Sequence, residues 1–149
     1  MKLSPSFDLD EFTISQEATR RDIDNTPPEF MLTRLSALCV NVLEPLRRAL
    51  GPVVVTSGYR SPELNRAIGG SAVSQHMEGR AADIHVPGKS LDEVFNWILD
   101  NVNYDQVIRE FPPGGWVHVS YDPERGRRES FVAVKRNGKT VYDPTGRLA

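Results

Sequence analysis

The chain has 149 residues, of which 39% are hydrophobic and 26% charged, which suits a single globular domain with a real core. With 18 Lys and Arg against 20 Asp and Glu the net charge is −2, so no overall positive field draws the molecule to nucleic acid or an anionic membrane. No run approaches the roughly 18 consecutive apolar residues of a membrane span, and the opening "MKLSPSFDLDEF" lacks the apolar centre of a secretory signal. Synthesis in the cytoplasm is expected, without membrane insertion, and any work outside the cell would follow release by other means.

Residues 1–28 read as a loop or short strand followed by a capped turn and a proline stop at "NTPP"; Thr13 or Ser15 is placed to cap a short helix. Residues 29–50 carry the clearest helical pattern, with Phe30, Leu32, Leu35, Leu38, Val42, Leu46 and Leu50 recurring at three- and four-residue steps. Pro45 should kink or divide it, and Gly51–Pro52 end it. The one cysteine, Cys39, lies in this apolar pattern and reads as a buried structural thiol; alone it forms no internal disulfide.

"VVVTS" at 53–57 is a strand signal. "SPELNRAIGG" is a short helix with Ser61 before Pro62 at its start and a Gly-Gly stop. "AADIHVP" (81–87) is a second strand, and "SLDEVFNWILDNV" (90–102) an amphipathic helix capped by Ser90. "QVIREF", "WVHVSY" and "SFVAVKRNGKTVYD" make the C-terminal part β-rich, with Asn137–Gly138 a two-residue hairpin turn. "RGRR" at 125–128 is the one basic run and reads as a solvated loop, so no nucleic-acid partner is expected. The fold class expected is α+β, one domain over 1–149, with N-terminal helices packed on a mostly antiparallel sheet.

Three residues stand out as a chemical set. His76 lies in "SQHMEGRAAD", Asp83 follows seven residues later at a strand, and His118 is flanked by Val117 and Val119, which point the other way. Two imidazoles and a carboxylate are a donor set for a catalytic zinc ion, leaving one tetrahedral position for water. The small residues Gly79, Ala81 and Ala82 would let a short carboxylate approach closely. Taken singly, each residue has a commoner reading: a surface loop histidine, a strand-edge carboxylate, a packed strand histidine. His85 shares a strand face with Asp83 and is a possible substitute ligand, read here as a histidine beside the site or on the surface.

Together, "SGYRSPELNRAIGGSAVSQHMEGRAADI" and "WVHVSY" resemble the central motif and second histidine strand of the zinc D-Ala-D-Ala carboxypeptidase family, whose fold is shared with the Hedgehog signalling domain. "FTISQEATRRDIDNTPP" and "LCVNVLEPLRRALGPVVVTSGYRS" match the form of its compact, often phage-associated branch. The likeness runs from about Phe12 to Tyr121. It implies one zinc ion held by His76, Asp83 and His118, with Arg60 facing a substrate carbonyl or carboxylate and Ser74 binding substrate or supporting His76. Gln75 is a further pocket candidate, and Tyr59, Trp116 and Tyr121 are aromatic candidates for the cleft wall.

The chain departs from the family at the general base. Many relatives carry an acid three residues before the last histidine, where this chain has Gly115. Glu110 is the nearest upstream carboxylate, and "PPGG" can fold it back beside His118; Asp105 and Asp122 are weaker alternatives. The function implied is hydrolysis of the peptidoglycan stem peptide, as a D-alanyl-D-alanine carboxypeptidase or an L,D-type endopeptidase, by a monomer released during phage lysis or carried on a phage particle. A non-catalytic wall- or protein-binding module and a cytoplasmic D-Ala-D-Ala dipeptidase are the alternatives.

Overall fold

The structure, a computed structural model, describes residues 1–148. Lys2–Ser4 (β1) and Phe7–Asp8 (β2) pair as a small antiparallel hairpin, burying Leu3 and Phe7. Two short helices follow, Asp10–Thr13 (α1) and Gln16–Arg20 (α2). The Ser15 side chain accepts a hydrogen bond from Ala18 N, so the expected serine cap of α2 is present.

The long apolar pattern becomes three pieces: Glu29–Leu38 (α3), a π-helical turn Cys39–Leu43, and Glu44–Leu50 (α4). Pro45 has no N–H to donate back along the helix, and a wider turn just before it absorbs the mismatch. Leu35, Leu38, Val42 and Leu46 are buried, whereas Phe30 is exposed under the Arg34 guanidinium. Cys39 is fully buried, and burial pushes its thiol up to about 12, as befits an inert packing residue. Glu44 anchors the first hairpin, accepting from Ser4 Oγ at 2.6 Å and from Ser6 N at 2.7 Å.

The remaining elements are Val54–Ser57 (β3), Pro62–Ala67 (α5), Ala81–His85 (β4), Leu91–Asn101 (α6), Gln106–Glu110 (β5), Trp116–Ser120 (β6), Glu129–Arg136 (β7) and Lys139–Pro144 (β8). Ser61 and Ser90 cap α5 and α6 through their hydroxyls. Six strands form one sheet in the order β3-β4-β6-β5-β7-β8, antiparallel throughout except for the parallel β5–β7 pair. The architecture is the expected α+β arrangement.

Alternation along the strands gives the sheet two different faces. Ala82, Ile84, Val107, Val117 and Val119 point to the core shared with α3, the π turn, α4 and α6. The register sets Asp83 opposite His118, His118 opposite Ile108, Ile108 opposite Phe131, and Glu110 opposite both Trp116 and Ala133. These side chains share the other face, which is left free of helices and forms the floor of a cleft.

Candidate metal centre and cleft

Cross-strand pairing is the first device that builds the site. Because Asp83 and His118 are direct partners, their side chains meet on the open face, with His118 Nδ1 3.0 Å from Asp83 Oδ1. His76 arrives from a different element, the turns between α5 and β4. Its Nε2 lies 3.3 Å from the same Asp83 oxygen, and the two imidazole rings sit edge to face at 5.1 Å.

The second device fixes the His76 ring. Its Nδ1 is 2.7 Å from the Gly58 carbonyl, which acts only as acceptor, so Nδ1 carries the proton and Nε2 presents its lone pair to the cluster. Gly58 itself is dictated by packing: a Cβ there would come within 2.6 Å of the Phe12 backbone. The turn after β3 is pinned against that segment, with Tyr59 N donating to Phe12 O and the Asn25 side chain bonding to Thr13 O, Tyr59 O and Ser61 N. The polar opening of the chain thus positions His76 through Gly58.

Electrostatics agree with a cation-seeking cluster. Burial lowers His76, keeping it neutral. Burial works against the charged form of Asp83, but positive charge on the flanking His76 and His118 rings outweighs it and takes the carboxyl well below the usual carboxylate range; a cation held between neutral rings would supply that charge equally. One donor atom each from His76, Asp83 and His118 lies within 4.8 Å of the others. Bonds of about 2.0–2.1 Å at tetrahedral angles would set donors about 3.3 Å apart. The observed 3.0 and 3.3 Å fit that requirement. His85 stands opposite Val54 at the β3 side of the sheet and is not one of the cluster.

Around the cluster lies a cleft of about 900 Å³. It is lined by Arg60, Ser74, Gln75, Glu110 and Trp116 as well as the three donors. Glu110 is nearly buried, and among the described residues no hydrogen-bond or ion-pair partner holds its carboxylate. Its pKa is raised, chiefly by burial. The neighbouring Arg109 is taken by Asp92 at 2.6 Å. The alternative acids are occupied elsewhere: Asp105 is fully buried against Arg127 and Gln75, and Asp122 is ion-paired with Arg125 and Arg80. At Gly115 a Cβ would fall 1.7 Å from the Glu110 carbonyl oxygen, so the turn leaves no room for an acid there.

Arg60 enters the cleft with its Nη1 donating to Asn65 Oδ1 at 3.1 Å, while its Nε is buried without a partner. Burial weighs against its charge, and Asp83 nearby offsets part of that cost. Asn65, which the motif reading passed over, is 2% exposed and also donates to Ser71 O, so it sets the guanidinium in place. The Ser74 hydroxyl accepts from His76 N, a local turn bond. Gln75 donates to Asp105 Oδ2 at 2.8 Å, and its own Oε1 is unpartnered.

Tyr59 departs from expectation. Its side chain is 3% exposed inside the hydrophobic core and does not line the cleft, because the pinned turn directs it inward while Arg60 takes the outward direction. Tyr121 likewise packs against the core. The "RGRR" loop is also tied down: Arg125 pairs with Glu78 and Asp122, Arg127 with Asp105, and Arg128 lies over the Tyr104 ring.

An imidazole–carboxylate–imidazole cluster at the floor of an open cleft, with a free glutamate and a guanidinium on its walls, is the layout of a metallohydrolase. The family model described as Peptidase M15 matches residues 5–120, most of the chain, and the protein belongs to that family of zinc peptidases. No curated protein matches the chain. Among the described residues no helix is long and apolar enough to cross a membrane.

Proposed function

We propose that the protein hydrolyses peptide bonds of the peptidoglycan stem, with His76 Nε2, Asp83 and His118 Nδ1 holding one zinc ion. The observation that carries this reading is the convergence of those donors beside the unpartnered carboxylate of Glu110. A bound zinc ion supplies Lewis acidity and brings the pKa of a coordinated water toward about 7.

The chain's own groups do the rest. Glu110 takes the proton of the attacking water and returns it to the leaving amine. The Arg60 guanidinium, which lines the cleft, donates to the carbonyl oxygen as negative charge develops there, a contact commonly worth about 3–4 kcal/mol. Asn65 fixes that guanidinium before substrate arrives. Ser74, Gln75 and Trp116 supply the adjoining walls.

A cleft of about 900 Å³ is at the upper end for small-molecule sites, roughly 300–1,000 Å³, and suits an extended peptide better than a free dipeptide. The proposed setting is the bacterial wall, reached on release in a phage context, as the likeness to the compact branch supports. Mass spectrometry of purified muropeptides tests the reading. The expected result is loss of a terminal alanine or cleavage within the stem, abolished by chelator and restored by zinc. Intact muropeptides with zinc-loaded protein would refute it.

A further inference from the structure

The family match ends at residue 120, yet the sheet continues. Strands β7 and β8 extend the open face: Phe131 lies opposite Ile108, Ala133 is set between Glu110 and Tyr142, and Lys135 faces Thr140. Phe131, Lys135, Thr140 and Tyr142 all line the same cleft as the cluster.

Four cationic side chains reach this cleft, and they are not equivalent. Arg125 and Arg127 are neutralised by Glu78, Asp122, Asp105 and Glu129. Arg60 and Lys135 have no carboxylate in ion-pair contact among the described residues. Lys135 is nevertheless held, its Nζ 3.0 Å from Thr140 Oγ1 and 5.6 Å from the centre of the Phe111 ring, which packs edge to face on Trp116. It is therefore a cation set in place with its charge unanswered.

Resting on the peptidase reading above, we propose that the β7–β8 hairpin is the substrate-selecting wall and that Lys135 recognises a free carboxylate of the peptide, on the side away from Arg60. Arg60 stands on the turn leaving β3, and Lys135 on β7. The cluster strands lie between them in the sheet. Lys135 lies two strand spacings from β6 and four residues along β7 from the level of His118, roughly 17 Å before its long side chain is counted, so it stands a few residues of extended peptide away from the cluster. A stem pentapeptide offers a free carboxylate a few residues before its scissile end: the α-carboxylate of its γ-linked glutamate.

The test uses two synthetic pentapeptides, L-Ala-γ-D-Glu-L-Lys-D-Ala-D-Ala and its analogue with the glutamate α-carboxylate amidated. Their equilibrium binding is measured by titration on the chelator-treated full chain, where no turnover occurs, and their kcat/KM on the zinc-loaded chain. Wild type is expected to prefer the acid by about threefold to fivefold, the scale of an exposed ion pair. Lys135→Met should abolish that preference, and Lys135→Glu should abolish or invert it. Lys139→Met, a lysine of the same hairpin that does not line the cleft, should retain it. No preference in wild type, or one that persists in Lys135→Met, overturns the assignment. If neither peptide is cleaved but Lys135-dependent binding of the acid remains, the peptidase reading fails and the Lys135 assignment stands. Cleavage of both peptides without preference has the opposite meaning.

Discussion

Glu110 acquires its proposed role from what surrounds it. A glutamate on a strand is ordinarily solvated or paired; this one faces the cluster from the adjacent strand, with Arg109 already engaged by Asp92. The turn through Gly115, where any side chain would strike the Glu110 carbonyl, fixes both the lack of an acid at 115 and the return of β6 alongside β5. Glu110→Gln keeps size and shape while removing proton transfer. It is expected to lower kcat by about 10²–10⁴-fold, with zinc content and melting temperature unchanged. A Gln variant with the wild-type rate would place the base elsewhere.

Between elements, Asp105 is the principal electrostatic tie. It lies just before β5, receives three N–H groups of Arg127 and one of Gln75, and so joins the loop after β6 to the turn that carries His76. Burial raises its pKa, but the Arg127 bonds prevail and hold it at about 2. A depressed carboxylate contributes stability in full above its unfolded pKa, near 4, and loses it as pH falls toward the folded value. Asp105→Asn should cost about 2 kcal/mol at neutral pH, the scale of hydrogen bonds to a charged group, since Arg127 is partly solvated. In urea unfolding the deficit should be constant above pH 5 and narrow between pH 4 and 2. A deficit independent of pH over that window would show that the charge is not the stabilising feature.

Across the whole molecule, what was legible in the sequence is what depends on short-range pattern. Strand alternation at Val117–His118–Val119, the serine caps at Ser15, Ser61 and Ser90, and the Asn137–Gly138 turn each follow from chemistry within a few residues. Juxtapositions made by the sheet were not legible. Tyr59 reads as a cleft aromatic until its turn is seen pinned by Asn25 and Phe12. Arg127 reads as solvated until Asp105 is found beneath it. The parallel β5–β7 pairing, which brings Lys135 and Tyr142 to the cleft, joins segments separated by a turn, a strand and a loop, and no local signal announces it.

The central claim is that one ion is held by His76, Asp83 and His118. Anomalous diffraction at the zinc edge from crystals of the zinc-loaded protein tests it most directly. A single full-occupancy peak is predicted, about 2.0–2.2 Å from His76 Nε2, an Asp83 carboxylate oxygen and His118 Nδ1. A zinc peak bound elsewhere, or no peak at this cluster with stoichiometric zinc present, would contradict the account.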